Sequence, residues 1–99
     1  MVRWIRTGRI ASGKFPQAMQ FAREMVEFAN KKYKIQMSVY MDIFGEYSTI
    51  RWFVDYADLA ALEKVSNQVM ADQEYWQKVK QVADLFIQGS MYDTVMRSI

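Results

Sequence analysis

The residue types that are missing restrict the chemistry that this chain can perform. It contains no histidine and no cysteine, so the commonest general base, the thiolate nucleophile and the usual transition-metal ligands are absent. Its four glycines stand at 8, 13, 45 and 89, and we identify no glycine-rich phosphate loop. Acidic residues at the spacing of a calcium loop are also absent. We therefore expect no metal or other cofactor, and any acid–base step must use Asp, Glu, Tyr or Lys.

Pairs of aromatic and charged residues recur at a spacing of two. Tyr40 precedes Asp42, Arg51 precedes Phe53, and Trp4 precedes Arg6. In a β-strand, residues two apart lie on the same face of the sheet. The spacing therefore predicts that each pair shares one strand face, wherever these segments are strands.

Hydrophobic periodicity predicts the element order strand, helix, strand, strand, helix, strand. Period-two alternation marks the strands, most clearly from Ile35 to Ile43, and apolar residues at helical spacing follow Pro16. A second helical region begins after the cap Asp58 and is bent or split where Asp72 provides another cap. The predicted strands cover 2–10, 35–43, 49–56 and 91–97, and the helical regions cover 16–33 and 59–88.

This order predicts one α+β domain of ferredoxin-like topology, βαββαβ, over residues 1–99. Right-handed crossovers bring the two halves into a four-stranded antiparallel sheet with the helices on one face. We expect the other face to carry Tyr40 and Phe53, with Trp4 or its neighbours, and Val95, added from the other strands. Exposing so many aromatic side chains to water is energetically unfavourable. A second copy of the chain would bury them by packing sheet against sheet. The expected partner is therefore the chain itself, as a homodimer.

Four short segments resemble those of a known family. They are Gly13-Lys14 before the first helix, Phe44-Gly45-Glu46 at the hairpin, Ala71-Asp72-Gln73-Glu74-Tyr75-Trp76 in the second helical region and Phe86-Ile87-Gln88-Gly89-Ser90 before the last strand. With the rest of the chain they resemble the dimeric α+β barrel proteins, in particular the NIPSNAP-like and marine metagenomic members. The resemblance implies ferredoxin-like subunits that pair into a barrel. It implies no single activity, because that superfamily includes monooxygenases, haem-degrading enzymes and isomerases.

The cofactor-free monooxygenases of that superfamily suggest roles for the paired residues. Such an enzyme needs a polar group that deprotonates an acidic aromatic substrate, and an apolar wall. Arg51 would hold an anion, Asp42 would take a proton, and Tyr40 and Trp4 would stack on the ring. The haem-degrading type uses a histidine ligand, which this chain lacks. The expected ligand-binding residues, with Arg6 included because it shares a strand face with Trp4, are Trp4, Arg6, Tyr40, Asp42, Arg51 and Phe53.

Two functions remain open at this point. In the first, the protein binds, oxidises or isomerises a small aromatic or apolar molecule in a barrel cavity of roughly 300 Å³ or more. In the second, the barrel is solid, the protein is an assembly module, and Asp42, Arg51 and Asp55 form cross-strand pairs or salt bridges at the subunit interface. A net charge of +2 and the lack of an RNA-recognition motif disfavour nucleic acid. The sequence has neither a signal-like start nor a run of about 18 apolar residues, so a cytoplasmic location without membrane contact is expected.

Overall fold

Four strands and three helices follow one another in the predicted order. The computed structural model describes all of residues 1–99. The elements are β1 (Val2–Arg9), α1 (Phe15–Tyr33), β2 (Ser38–Met41), β3 (Thr49–Tyr56), α2 (Leu59–Met70), α3 (Gln73–Gln81), a short 3₁₀ helix (Ala83–Leu85) and β4 (Tyr92–Arg97).

The strands form one antiparallel sheet in the order β2–β3–β1–β4. The central strands β1 and β3 are paired along their full length, from Val2 opposite Tyr56 to Arg9 opposite Thr49. At the edges, β4 pairs with β1 and β2 pairs with β3. The helices cover one face of this sheet. The predicted ferredoxin-like α+β fold is therefore confirmed.

Helix α1 approaches the sheet closely because small side chains face it. Ala18, Ala22 and Ala29 are at most 2% exposed, which lets the helix backbone come near the strands. Pro16 lies in the first turn, and Lys34 ends the helix in the left-handed region at φ 57°. The central core cluster under α1 consists of Ile10, Ala18, Ala22, Ile50, Trp52 and Leu85.

The second helical region is split, as predicted. Asp58 caps α2 by accepting a hydrogen bond from the amide of Ala61 at 2.9 Å. Asp72 caps α3 by accepting from the amide of Glu74 at 3.0 Å. None of the helices has the length and apolar composition that crossing a membrane requires.

Two predicted boundaries are wrong for backbone reasons. The second strand begins only at Ser38, because the side chain of Asn30 bonds both the N–H (2.6 Å) and the C=O (3.1 Å) of Met37 and removes them from the ladder. The last helix ends at Gln81, well before Gly89. The chain beyond it returns to the sheet, where the amide of Ile87 bonds the carbonyl of Arg9 at 2.8 Å.

The sheet has two chemically different faces. The helix face, toward α1, α2 and α3, holds Trp4, Arg6, Trp52, Asp93 and Val95. The open face holds Arg3, Ile5, Thr7, Arg9, Ser38, Tyr40, Arg51, Phe53, Asp55, Tyr92, Thr94 and Met96. Trp4 and Val95 lie opposite each other on the helix face, so their expected place on the open face is wrong, whereas the neighbours of Trp4, Arg3 and Ile5, lie on the open face. In β1 both faces carry apolar residues, Trp4 on one and Ile5 on the other, and the alternation cannot say which face is covered.

Candidate functional site

A large cavity lies between the helix face of the sheet and the helices. Its volume is about 1090 Å³, and 22 of its 28 lining residues are hydrophobic. All three tryptophans of the chain, Trp4, Trp52 and Trp76, contribute to its wall. Mostly apolar walls with a few polar groups are typical of small-molecule sites of roughly 300–1,000 Å³.

The cavity exists because the helix layer packs tightly on only one side. Helix α1 is held close by its alanines, whereas α2 has no buried residue at all. Leu62, Val65 and Val69 of α2 line the cavity instead of filling the core. The apolar stripe that the sequence pattern predicts on α2 is therefore present, but it faces an unfilled space.

A hydrogen-bonded joint fixes α3 to α1 beside this space. The carboxylate of Asp72 accepts from the hydroxyl of Tyr33 at 2.7 Å and pairs with Lys32 at 2.9 Å. Burial and the bond to Asp72 raise the pKa of Tyr33, and the bonds from Tyr33 and Lys32 lower the pKa of Asp72. Each polar group of the joint has a partner, so the joint holds the helices in place without offering a free group to a ligand.

A polar cluster built on Arg6 lies in the otherwise apolar wall. Arg6 of β1 is directly opposite Asp93 of β4, and its Nε and Nη2 donate to the two carboxylate oxygens at 2.7 and 2.9 Å. Its Nη1 donates to the hydroxyl oxygen of Tyr75 on α3 at 2.7 Å. The guanidinium lies 5.2 Å from the centre of the Trp4 ring, and Trp4 Nε1 donates to Asp93 at 3.2 Å. The cluster therefore joins β1, β4 and α3 at one point of the cavity.

The electrostatics of this cluster keep both charges in place. Burial alone would raise the pKa of Asp93, but the hydrogen bonds and charge of Arg6 and the bond from Trp4 outweigh it, and the pKa is lowered. Burial also acts to lower the pKa of Arg6, and the bonds to Asp93 and Tyr75 reverse this and raise it. Asp93 is therefore an ionised, occupied carboxylate at neutral pH and a weak proton acceptor.

The structure separates the six expected ligand-binding residues into two groups. Only Trp4 and Arg6 lie in the cavity, and Tyr40, Asp42, Arg51 and Phe53 lie on or beside the open face. There Arg51 donates to both oxygens of Asp42 at 2.9 Å, which raises the pKa of Arg51 and lowers that of Asp42. The rings of Tyr40 and Phe53 meet edge to face at 5.4 Å. The two groups cannot touch one ligand within a subunit, because the sheet lies between them.

The sequence interpretation missed two members of the polar cluster, Tyr75 and Asp93. Asp93 has a sequence signal, because it alternates with Val95 and Arg97 and so lies on one face of β4 with them. In the structure that face is the one that carries Arg6. Tyr75 has none, because it lies in an apolar helical stripe like any core aromatic residue.

Comparisons with known proteins give a family and a fold. The family model NIPSNAP matches residues 3–98. No curated protein matches the chain. Among solved structures, protein Atu4242 from Agrobacterium tumefaciens is similar at TM-score 0.81 and 17% identity, over 100% of this chain and 94% of that one.

Two further solved structures share the fold. An uncharacterized NIPSNAP domain protein from Burkholderia xenovorans has TM-score 0.82 at 14% identity, over 100% of this chain and 95% of that one. An antibiotic biosynthesis monooxygenase has TM-score 0.73 at 15% identity, over 100% and 99%. At these identities the likeness concerns the fold and not the site.

Proposed function

The chain belongs to the NIPSNAP family, and from that premise we propose that it is a homodimeric protein that binds a small apolar or aromatic molecule between its sheet and its helices. The observation that carries this proposal is the cavity of about 1090 Å³ with its hydrophobic wall. Burial of apolar surface stabilises a complex by about 25 cal/mol for each Å² removed from water, so such a cavity favours an apolar ligand. The site lies on the helix face, whereas the sequence interpretation expected it in the barrel interior.

The geometry supports binding better than catalysis. Oxidation or isomerisation of an acidic aromatic substrate would need a proton acceptor in the cavity. Asp93, the carboxylate of the polar cluster, accepts two hydrogen bonds from Arg6 and one from Trp4, and its pKa is lowered. Asp84, a second carboxylate on the wall, is largely exposed to solvent. Asp93 is therefore occupied, and Asp84 pairs with Lys14 at 3.5 Å, so neither is a free proton acceptor enclosed by the cavity.

The open face supports the dimer part of the proposal. Tyr40, Tyr92 and Met96 are about half exposed or more, at 64%, 52% and 47%. The charged groups of this face are paired inside the subunit: Arg3 with Asp55, Arg51 with Asp42, and Arg9 with Glu46. A second copy could therefore cover the face without burying an unpaired charge. Burial of unpaired charges is the main energetic cost of covering such a surface.

Tryptophan fluorescence tests the ligand site directly, because every tryptophan lines the cavity. We expect 2-isopropylnaphthalene, an apolar aromatic probe, to change the emission with a saturable dependence on concentration. At ten times its dissociation constant it should stabilise the fold by about 1.4 kcal/mol and raise the melting temperature by roughly 5–10 °C.

A pair of α2 variants provides the control. Val69→Asp places a charge on the cavity wall and should weaken probe binding about tenfold or more. Gln68→Asp introduces the same side chain on the exposed side of α2, outside the cavity, and should leave binding within about twofold of the wild type. Equal affinity in the two variants, or no saturable signal in the wild type, would contradict the proposed site.

A further inference from the structure

The hydroxyl proton of Tyr75 has no acceptor in the protein. A guanidinium can only donate, so the bond from Arg6 Nη1 at 2.7 Å occupies the Tyr75 oxygen as an acceptor and leaves its O–H free. No other hydrogen bond of the Tyr75 hydroxyl is formed. The residue is only 9% exposed and lines the cavity. A buried donor without a partner is unfavourable unless something else accepts its proton.

Most other side-chain donors of the cavity wall are already in use or covered. Tyr33 donates to Asp72 at 2.7 Å, Trp4 donates to Asp93 at 3.2 Å, and the indole N–H of Trp76 donates to a backbone carbonyl at 2.9 Å. Trp52 also lacks a partner for its N–H, but it is 3% exposed, and its ring packs against Phe21 and Phe86 in T-shaped contacts. The hydroxyl of Tyr56 also lines the cavity without a partner, but no neighbouring group orients it. The hydroxyl of Tyr75 is held by Arg6, so Tyr75 is the donor best placed to meet a ligand.

The neighbours of Tyr75 decide which ligand oxygen it suits. Arg6 and Asp93 neutralise each other within 3 Å, so an anionic ligand would find no uncompensated positive charge. The bond that Arg6 donates to the Tyr75 oxygen polarises the O–H and strengthens it as a donor. Trp76 lies beside Tyr75 at 5.2 Å between ring centres and provides an aromatic wall for the rest of the ligand.

We infer that Tyr75, supported by Arg6, donates a hydrogen bond to the carbonyl oxygen of a neutral, otherwise apolar ligand, such as an aromatic ketone or a quinone. This inference rests on the proposed ligand site and specifies its substrate class. Tyr75 is the residue that distinguishes a carbonyl compound from a hydrocarbon of the same shape, and Arg6 is a positioning residue that acts through it.

Two probes of matched shape test the inference. They are 2-acetylnaphthalene, which has a carbonyl oxygen, and 2-isopropylnaphthalene, which has none. Tyr75→Phe should weaken binding of the ketone by about two- to tenfold, the range expected for one hydrogen bond. Its affinity for the hydrocarbon should stay within about twofold of the wild-type value. For each protein variant we compare the ratio of the ketone affinity to the hydrocarbon affinity, so that the difference in solubility between the two probes cancels.

Tyr33→Phe is the matched control, because Tyr33 is buried, lines the same cavity and donates its hydroxyl hydrogen bond to Asp72. It should leave the ratio of affinities unchanged. An unchanged ratio in Tyr75→Phe overturns the inference while the ligand site remains. Failure of both probes to bind the wild type overturns the proposed function itself.

A measurement on the wild type covers the case in which Tyr75→Phe does not fold. The infrared carbonyl stretch of ¹³C-labelled 2-acetylnaphthalene should be lower in frequency when bound than in a hydrocarbon solvent, because the oxygen accepts a hydrogen bond. A bound frequency equal to that in the hydrocarbon solvent overturns the inference. Arg6→Lys, which keeps the charge beside Asp93 but cannot bond Tyr75 and both carboxylate oxygens in one fork, should reduce the shift.

Discussion

Substitution of Phe53 by glutamate is the sharpest test of the proposed homodimer. Phe53 lies in the middle of the open face on the central strand β3, with the ring of Tyr40 at 5.4 Å and the guanidinium of Arg3 at 5.7 Å. Arg3 is already held by two hydrogen bonds to Asp55, at 2.8 and 3.0 Å, and cannot turn to the new carboxylate without losing them. In a sheet-to-sheet dimer the introduced charge is therefore buried without a partner.

The magnitude follows from symmetry. An uncompensated buried charge costs about 3–5 kcal/mol, and a two-fold interface contains the change twice, so dimerisation weakens by about 6–10 kcal/mol. Since each 1.4 kcal/mol is tenfold, the dissociation constant should rise by at least about 10⁴-fold. The isolated subunit loses the edge contact with Tyr40 and the contact of the ring with the Arg3 guanidinium, together about 1–2 kcal/mol, and should remain folded.

Sedimentation velocity at micromolar concentration measures the outcome. The wild type should sediment at twice the chain mass of 11.7 kDa, and Phe53→Glu at that chain mass with an unchanged circular dichroism spectrum. Phe15→Glu is the control, because Phe15 begins α1, away from the open face, where an added negative charge favours the helix terminus. A dimer of undiminished affinity in Phe53→Glu would refute the reasoning, as would a wild type that sediments as a monomer.

Two further predictions concern stability. Asp72→Ala removes the cap of α3 and the acceptor of Tyr33, and should lower the melting temperature by roughly 5–10 °C, more than Tyr33→Phe does; equal effects would show that the cap contributes nothing. The pKa of Asp93 is lowered in the folded state, so its stabilising contribution is complete above the unfolded value of about 3.9 and is lost as the pH falls through the folded value. Thermal melts between neutral and acid pH should therefore show a shallower acid decline for Asp93→Asn than for the wild type, whereas a slope equal to the wild type would contradict this contribution.

The fold could be predicted from the sequence because its signals are local and consistent. The caps Asp58 and Asp72 and the alternation over 49–56 are each decided by a few neighbouring residues, and the structure has them where they were expected. The second strand was placed wrongly because its start is decided by Asn30, a helix residue whose side chain takes both backbone groups of Met37. A pattern of apolar residues contains no information about that competition.

The site could be predicted only in part, for a different reason. Period two correctly placed Trp4 with Arg6 on one face and Arg51 with Phe53 on another, but it does not say which face the helices cover. The residues were therefore combined into one site although the sheet separates them. The cavity itself depends on how far α2 is held from the sheet, which is a property of packing across the whole helix layer.

The same arrangement of paired charges occurs on both faces of the sheet and makes the two proposed functions compatible. Arg3 and Arg6 each meet a carboxylate on the neighbouring strand in register, Asp55 on the open face and Asp93 on the helix face. Because each arginine is paired with an acid, the open face carries no unpaired charge when it is covered, and the polar cluster in the cavity is neutral, which suits a neutral ligand. Among the neutral donors that remain free on the wall, the hydroxyl of Tyr75 is the one held in place by Arg6. A carboxylate ligand could pair with Arg6 only if Arg6 released Asp93. Tighter binding of a carboxylate than of a ketone of the same shape would therefore show that the neutral Arg6–Asp93 pair does not determine which ligand binds.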